Sequence, residues 1–283
     1  MSVALITQLE EKIAKQNQNT WHRGTVGIAL HNLTTNEKLM INNRPFSAAS
    51  TIKVLIMMAI YKKVERVELR LNTTITFKEH YCVPDSPKLS TMKNGHKISI
   101  KKLVEYMITE SDNTATNILI EKIGMDYINT VIEEMGLTDT ILQRKMTDVE
   151  AMKAGRDNWT TPGEMVDVLR KLVTSQLANK KHTSDMIKIL CAQKDREKIP
   201  ALIPTDVVVG NKPGELEGVR NDVGIIFAPF GTYILSIFCD HLLCTDGIDE
   251  WMAEISLLIY NYFNTYKQHI SFRNVQKQLI GKN

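Results

Sequence analysis

This 283-residue chain is poor in the features that announce metal, membrane or nucleic-acid chemistry. Its four cysteines, Cys82, Cys191, Cys239 and Cys244, form no CxxC pair and no zinc spacing, and such unpaired use fits a reducing compartment. Seven histidines are scattered without an HxxxH or HExxH pattern, so neither a metal nor a cofactor is expected. The most apolar stretch begins at Val54 and is cut by Lys62, Lys63 and Glu65. That is well short of the ~20 residues a membrane span needs. The first residues lack a basic leader region, which predicts a cytoplasmic chain, or an exported one whose signal has been removed. Charge is nearly balanced, 35 basic against 32 acidic residues, with no basic arm, so no nucleic-acid partner is expected. The short run Lys180, Lys181, His182 reads as a solvated loop. No internal repeat or low-complexity tract is present.

What remains is an ordinary globular composition, 43% hydrophobic and 24% charged, long enough to bury a substantial core. Residues 2–16 carry Val3, Ile6, Leu9 and Ile13 at helical spacing. Residues 25–31 and 38–41 read as a hairpin across a turn-rich link. A mostly helical middle follows, from about 50 to 195. Strands return at 207–210, 222–227 and 232–238, with a turn at Pro229 to Gly231. A closing helix spans about 247–266, with Trp251, Ile255, Leu258, Ile259 and Phe263 on one face and a polar tail beyond. The expected fold is α/β: an antiparallel sheet flanked by the N- and C-terminal helices, from residues 1–49 and 196–283. An all-helical lobe of residues 50–195 is inserted into it, and a cleft lies between the two.

Three short motifs carry chemistry. Ser50-Thr51-Ile52-Lys53 opens the buried helix that begins at Val54, and the three-residue spacing places the lysine beside the hydroxyl. A serine needs a base to become a nucleophile, and a buried lysine loses its proton readily enough to serve. The helix start also offers free N–H groups to an oxyanion. Alone the pattern is weak: Ser90 to Lys93 and Ser99 to Lys102 repeat it in a polar region, where chance surface pairing explains it. Ser111-Asp112-Asn113 is unfavourable within a helix and reads as a capped inter-helix turn, or as a proton relay with an amide-binding asparagine. Lys212-Pro213-Gly214 follows a strand, and its proline requires an edge.

In this order the three motifs resemble the serine penicillin-recognising enzymes, most closely the class A β-lactamase family. The surrounding words match as well: residues 46–54 around Ser50, 103–117 around Ser111, and 160–165 after the family's Ω loop. The likeness spans about residues 3–266. It implies that Ser50 is acylated, that Lys53 is its base and that Ser111 passes a proton to the leaving nitrogen. It further implies that Asn113 holds the substrate amide and that Lys212 faces the substrate carboxylate. The oxyanion would sit on the N–H groups of Ser50 and Glu215, the latter placed by Gly214. Two departures stand out. Pro213 replaces the hydroxyl residue that binds the carboxylate, leaving Arg220 as the expected partner. The Ω loop, anchored on Arg144, has Met146 where the family has its deacylating glutamate; Glu150, four residues on, is the expected replacement, with Asp148 close by. The resemblance therefore implies a serine hydrolase of β-lactams or related amides and esters, acting as a monomer or weak dimer. Its rivals are a D,D-peptidase or esterase, and a penicillin-binding sensor that does not turn over.

Overall fold

The computed structural model describes residues 24–280, with side chains as far as 265, and before them positions 7, 8, 10–12 and 15. Those early positions are helical, and Lys12 pairs with Glu254 at 2.8 Å. The stripe expected at Val3, Ile6, Leu9 and Ile13 lies outside the described residues.

Strands β1 (Thr25–Asn32) and β2 (Lys38–Ile41) form the expected hairpin, with Ile28 opposite Ile41. The Asn32 side chain closes its turn by accepting from the N–H groups of Thr34 and Thr35. Strand β3 (Phe46–Ser47) leads through a 3₁₀ turn, Ala49–Ile52, into α1 (Lys53–Glu65). Then come β4 (Thr74–Thr76), β5 (Lys97–Ser99), α2 (Ile100–Thr109), α3 (Asn113–Ile123) and α4 (Met125–Glu134). A short α5 (Val149–Lys153), β6 (Trp159–Thr160), α6 (Pro162–Val173) and α7 (Lys180–Cys191) complete the middle. The chain ends with β7 (Val208–Leu216), β8 (Val219–Ala228), β9 (Gly231–Asp240) and α8 (Ile248–Ile280).

The main sheet runs β2-β1-β9-β8-β7, antiparallel throughout. Neighbouring residues on a strand face opposite sides. Ile225 and Ile234 therefore join the core shared with the helical middle, while Ile226 and Leu235 join the core under α8. Both faces are covered, so the inner strands are apolar nearly throughout. Trp251, Ile255, Ile259 and Phe263 of α8 fill the second core, as their spacing requires. Strand β7 is an edge, which is why it tolerates Pro213.

Three details differ from the sequence reading. The helical middle contains three short strands, β4 paired with β5 and β6 paired with β3 just before it, too short to show any alternation. Lys180, Lys181 and His182 open α7 rather than lying in a loop, because the Asn179 side chain caps the helix by accepting from the His182 N–H. Helix α8 continues past residue 266 to Ile280, since no glycine or proline interrupts it. Among the described residues no helix is long and apolar enough to cross a membrane.

Candidate active site

Helix α1 is apolar on all sides over its first nine residues, all of them buried. Lys53 is the exception in composition but not in position: it is fully buried at the first helical residue. The preceding 3₁₀ turn contains Ser50, three residues before Lys53. Three anchors hold the turn. Thr51 Oγ1 donates to the Ala48 carbonyl at 2.6 Å, Ala48 N donates to the Asn158 carbonyl at 2.7 Å, and Asn221 Nδ2 of β8 donates to the Ser47 carbonyl at 2.8 Å. Ala49 sits at φ 46°, a left-handed conformation that costs energy for a residue with a Cβ.

Lys53 Nζ donates to the Ser111 carbonyl at 2.7 Å, to Ser111 Oγ at 3.0 Å and to Asn113 Oδ1 at 2.7 Å. All three acceptors are neutral. Burial first, and the Lys212 charge second, hold its pKa well below the ordinary lysine value. Lys212 is equally buried and donates to Ser111 Oγ at 3.1 Å and to the Pro213 carbonyl at 2.7 Å. Burial pushes its pKa down to about 7, against the opposing charge of Asp222. Ser111 Oγ thus accepts from two amines, which uses both its lone pairs and frees its own proton to point elsewhere.

Asp112 fixes this turn. It caps α3 by accepting from Ala115 N at 2.8 Å, and its other oxygen accepts from Lys88 N and Leu89 N, each at 2.9 Å. The turn holds Ser111 at φ 53°. Gly214 serves the opposite wall: a Cβ there would lie 3.0 Å from the Ser50 nitrogen, so a glycine lets β7 approach the Ser50 backbone. Ser50, Ser111, Asn113, Pro213 and Glu215 line one cleft of about 780 Å³. A larger cavity of about 1170 Å³, lined by Glu215, Arg220 and Thr245, contains neither the serines nor Asn113, so the grouping of chemistry and not volume identifies the site.

Two expected residues are not brought to the cleft. Glu150 lies in the first turn of α5 with its side chain 82% exposed, paired with Lys153 at 3.0 Å. Asp148, its neighbour, is occupied as the α5 cap, accepting from Ala151 N at 3.0 Å. Met146 does hold the position near α3: its N–H and carbonyl both bond the Asn117 side chain, at 2.8 and 3.0 Å. Arg220 also turns away. Its guanidinium donates to the Leu216 and Val219 carbonyls and to Thr245 Oγ1, with Asp249 at 3.7 Å. Of the two other serine–lysine tetrads, Ser99 proves to cap α2 by accepting from Lys102 N, so it does open a helix, and Lys102 reaches out to Glu105.

Other contributors were not singled out from sequence. Asn117 lies one turn after Asn113 on the same helix, a spacing that could have flagged it. Arg144 Nε meets Asp157 at 2.7 Å, and Asp157 also accepts from Ser47 Oγ at 2.6 Å, tying the loop to strand β3 just before Ser50. Lys198 is fully buried against Asp195 and Glu215. Burial opposes its charge, but the hydrogen bond to Glu215 and the surrounding carboxylates outweigh this and raise its pKa. No local sequence signal marks that residue.

Comparison with known proteins agrees with this arrangement. A model of the beta-lactamase enzyme family matches residues 8–263. A beta-lactamase of Bacteroides uniformis is 25% identical over 256 residues, covering 84% of this chain and 86% of its own. Beta-lactamase VEB-1 of Pseudomonas aeruginosa is 25% identical over 254 residues, with coverage of 84% and 85%. Among solved structures, a beta-lactamase of Sphaerobacter thermophilus superposes with a TM-score of 0.82 at 29% identity, over 90% of this chain and 98% of the other. A PBP-A variant solved as an acyl-enzyme with penicillin G shares the fold, with a TM-score of 0.83 at 23% identity over 92% and 97% of the two chains. With the same sheet and helix order, the same span and a buried lysine pair meeting on one serine, the chain belongs to the beta-lactamase enzyme family and is a class A β-lactamase-like hydrolase.

Proposed function

We propose that a β-lactam, or a comparably reactive ester or amide, acylates Ser50, and that the resulting acyl-enzyme is released slowly. The observation that carries this reading is the buried Lys53 amine bonded only to neutral acceptors within one turn of Ser50. Such an amine, poised toward its neutral form, takes the Ser50 proton as Oγ attacks the carbonyl. The N–H groups of Ser50 and Glu215 receive the oxyanion across the Gly214 approach. Ser111 passes its free proton to the leaving nitrogen and is resupplied through Lys53 and Lys212. Asn113 holds the substrate amide, and Lys212 supplies positive charge toward its carboxylate.

Slow release follows from the Ω loop. A thioether at Met146 takes no proton at neutral pH, and Glu150 faces outward. Hydrolysis then relies on water assisted by Lys53 alone. Intact-mass measurement with benzylpenicillin over time tests both halves. A prompt adduct that maps to Ser50 and persists for many minutes is expected. No adduct, or an adduct on Ser90, overturns the assignment; an adduct that clears within seconds overturns slow release.

A further inference from the structure

A third cavity, of about 560 Å³, lies between α1, α2 and α7, and it shares Thr109, Glu110 and Lys194 with the Ser50 cleft. Its floor is Tyr61, 1% exposed, whose hydroxyl has no hydrogen-bond partner among the described residues. A buried hydroxyl left unpaired is costly, and native structures rarely keep one without an occupant to meet it. Burial, then the charges of Asp185 and Glu105, push the Tyr61 pKa up, so the group is a donor seeking an acceptor.

The walls are charged, and the charges do not cancel. Glu105 is paired with Lys102 at 2.8 Å, and Glu110 with Lys88 at 3.5 Å. That leaves Lys101, Lys188 and Lys194, with no carboxylate within ion-pair distance among the described residues, against the single carboxylate of Asp185. A neutral donor under a surplus of ammonium groups suits a carboxylate. Tyr61 stands eleven residues after Ser50, three along the 3₁₀ turn at ~2.0 Å per residue and eight along α1 at ~1.5 Å per residue, about 18 Å in all.

We infer that this cavity receives a carboxylate at the far end of an elongated acyl donor whose reacting carbonyl lies at Ser50. The inference rests on the acylation reading above and narrows its substrate class. Short acyl donors engage the Ser50 cleft alone; long ones with an anionic terminus engage both.

The test uses two thioesters of equal length, each spanning about 18 Å from reacting carbonyl to terminus, one ending in a carboxylate and one in a primary amide. Acylation rates are read by intact mass. The carboxylate form is expected to react about tenfold faster. In the double variant Lys101→Gln/Lys188→Gln the ratio should fall to near one, and in Tyr61→Phe by about threefold. Tyr61→Phe should also raise the melting temperature of the free protein by about 2–4 °C, because it removes an unpaired group while keeping the ring. A ratio near one in the wild type, a ratio that survives the double variant, or a lowered melting temperature in Tyr61→Phe each overturns the inference. If neither thioester acylates Ser50, the acylation reading fails by itself. The cavity is then tested by calorimetric titration of unreactive peptides with the same two termini into Ser50→Ala: tighter binding of the carboxylate form, lost in the double variant, supports the site, and equal affinities overturn it.

Discussion

Two regions that flank the Ser50 turn are built to different standards. On one side, α1, the turn before α3 and strand β7 bring two buried lysines onto one serine hydroxyl, with every donor and acceptor distance between 2.7 and 3.1 Å. On the other side, the loop from Arg144 to Asn158 is anchored as firmly through its backbone and through Asp157, yet its residue beside Asn117 is a methionine buried in the core. Rigidity is therefore present in both regions, but the carboxylates of the second are spent elsewhere: Asp157 on Arg144 and Ser47, Asp148 on the α5 cap, Glu150 on Lys153. On the proposed reading, the first region forms the acyl-enzyme and the second supplies a frame without a free base.

The severest way to break the first region is Lys53→Met, which keeps much of the buried volume and removes the amine. Acylation by benzylpenicillin should fall by about 10²–10⁴-fold, the range of a general base. Circular dichroism should show the fold retained, because the lost charge was desolvated at a cost. A variant that acylates at the wild-type rate would show that another group activates Ser50.

The second region is sharpened by adding what it lacks. Met146→Glu places a carboxylate on a backbone already fixed by Asn117. Release of the benzylpenicilloyl adduct should accelerate by about 10²-fold, followed as recovery of the unmodified mass. Glu150→Gln should change neither step, since that side chain is paired with Lys153 in solvent. A stalled adduct in Glu150→Gln with rapid turnover in the wild type would restore Glu150 as the base.

The same contrast decides what could be read from sequence. Ser50 and Lys53 were legible because an apolar run immediately after them fixes a buried helix start. Ser111 to Asn113 were legible because three helix-averse residues between two helical patterns must make a turn. Direction was not legible. The single turn α5 rotates Glu150 outward because Ala151, capped in place by Asp148, takes the buried side. On β8 the side-chain face alternates with every residue, so Asn221 reaches the Ser47 carbonyl while Arg220 points to the α8 side. One-residue parity is set by register, which the sequence pattern of a strand buried on both faces does not reveal. The short strands β3 to β6 were missed for a related reason: two or three residues carry no period.

Charge offers a subtler probe of the first region. On the proposed reading Lys53 acts as a neutral base, so the acylation rate should rise with pH on the acid side. Lys212 lowers the Lys53 pKa. Lys212→Met should therefore move that acid limb to higher pH, seen in the pH profile of the acylation rate; an unmoved limb would mean the two amines are not coupled. Stability follows the same groups. Burial raises the Asp222 carboxyl to about 7, so between its unfolded value and pH 7 the folded chain holds a proton that the unfolded chain has lost. Stability from this group falls as pH rises through that window. Lys212, pushed down to about 7, acts above it: there the unfolded chain holds the extra proton, and stability rises toward pH 10. In the melting temperature against pH, the falling arm should shrink in Asp222→Asn and the rising arm in Lys212→Met, the remainder of the rising arm belonging to Lys53 and that of the falling arm to Asp249.

The smallest expected effect belongs to Arg220, and it separates the cleft from the neighbouring cavity. Its guanidinium is spent on the Leu216 and Val219 carbonyls and on Thr245, which staples the β7–β8 turn to the segment before α8. It lines the cavity on the far side of Glu215 and not the Ser50 cleft. Arg220→Ala should therefore cost about 1 kcal/mol of stability through the lost hydrogen bonds. Rates on a penicillin and on a neutral ester of similar reactivity should both change by less than about threefold. The discriminating quantity is the ratio of those two rates, because a loosened turn lowers both alike. A tenfold loss confined to the penicillin would place the guanidinium on the substrate carboxylate during reaction, and would show that the hairpin reorganises when substrate enters.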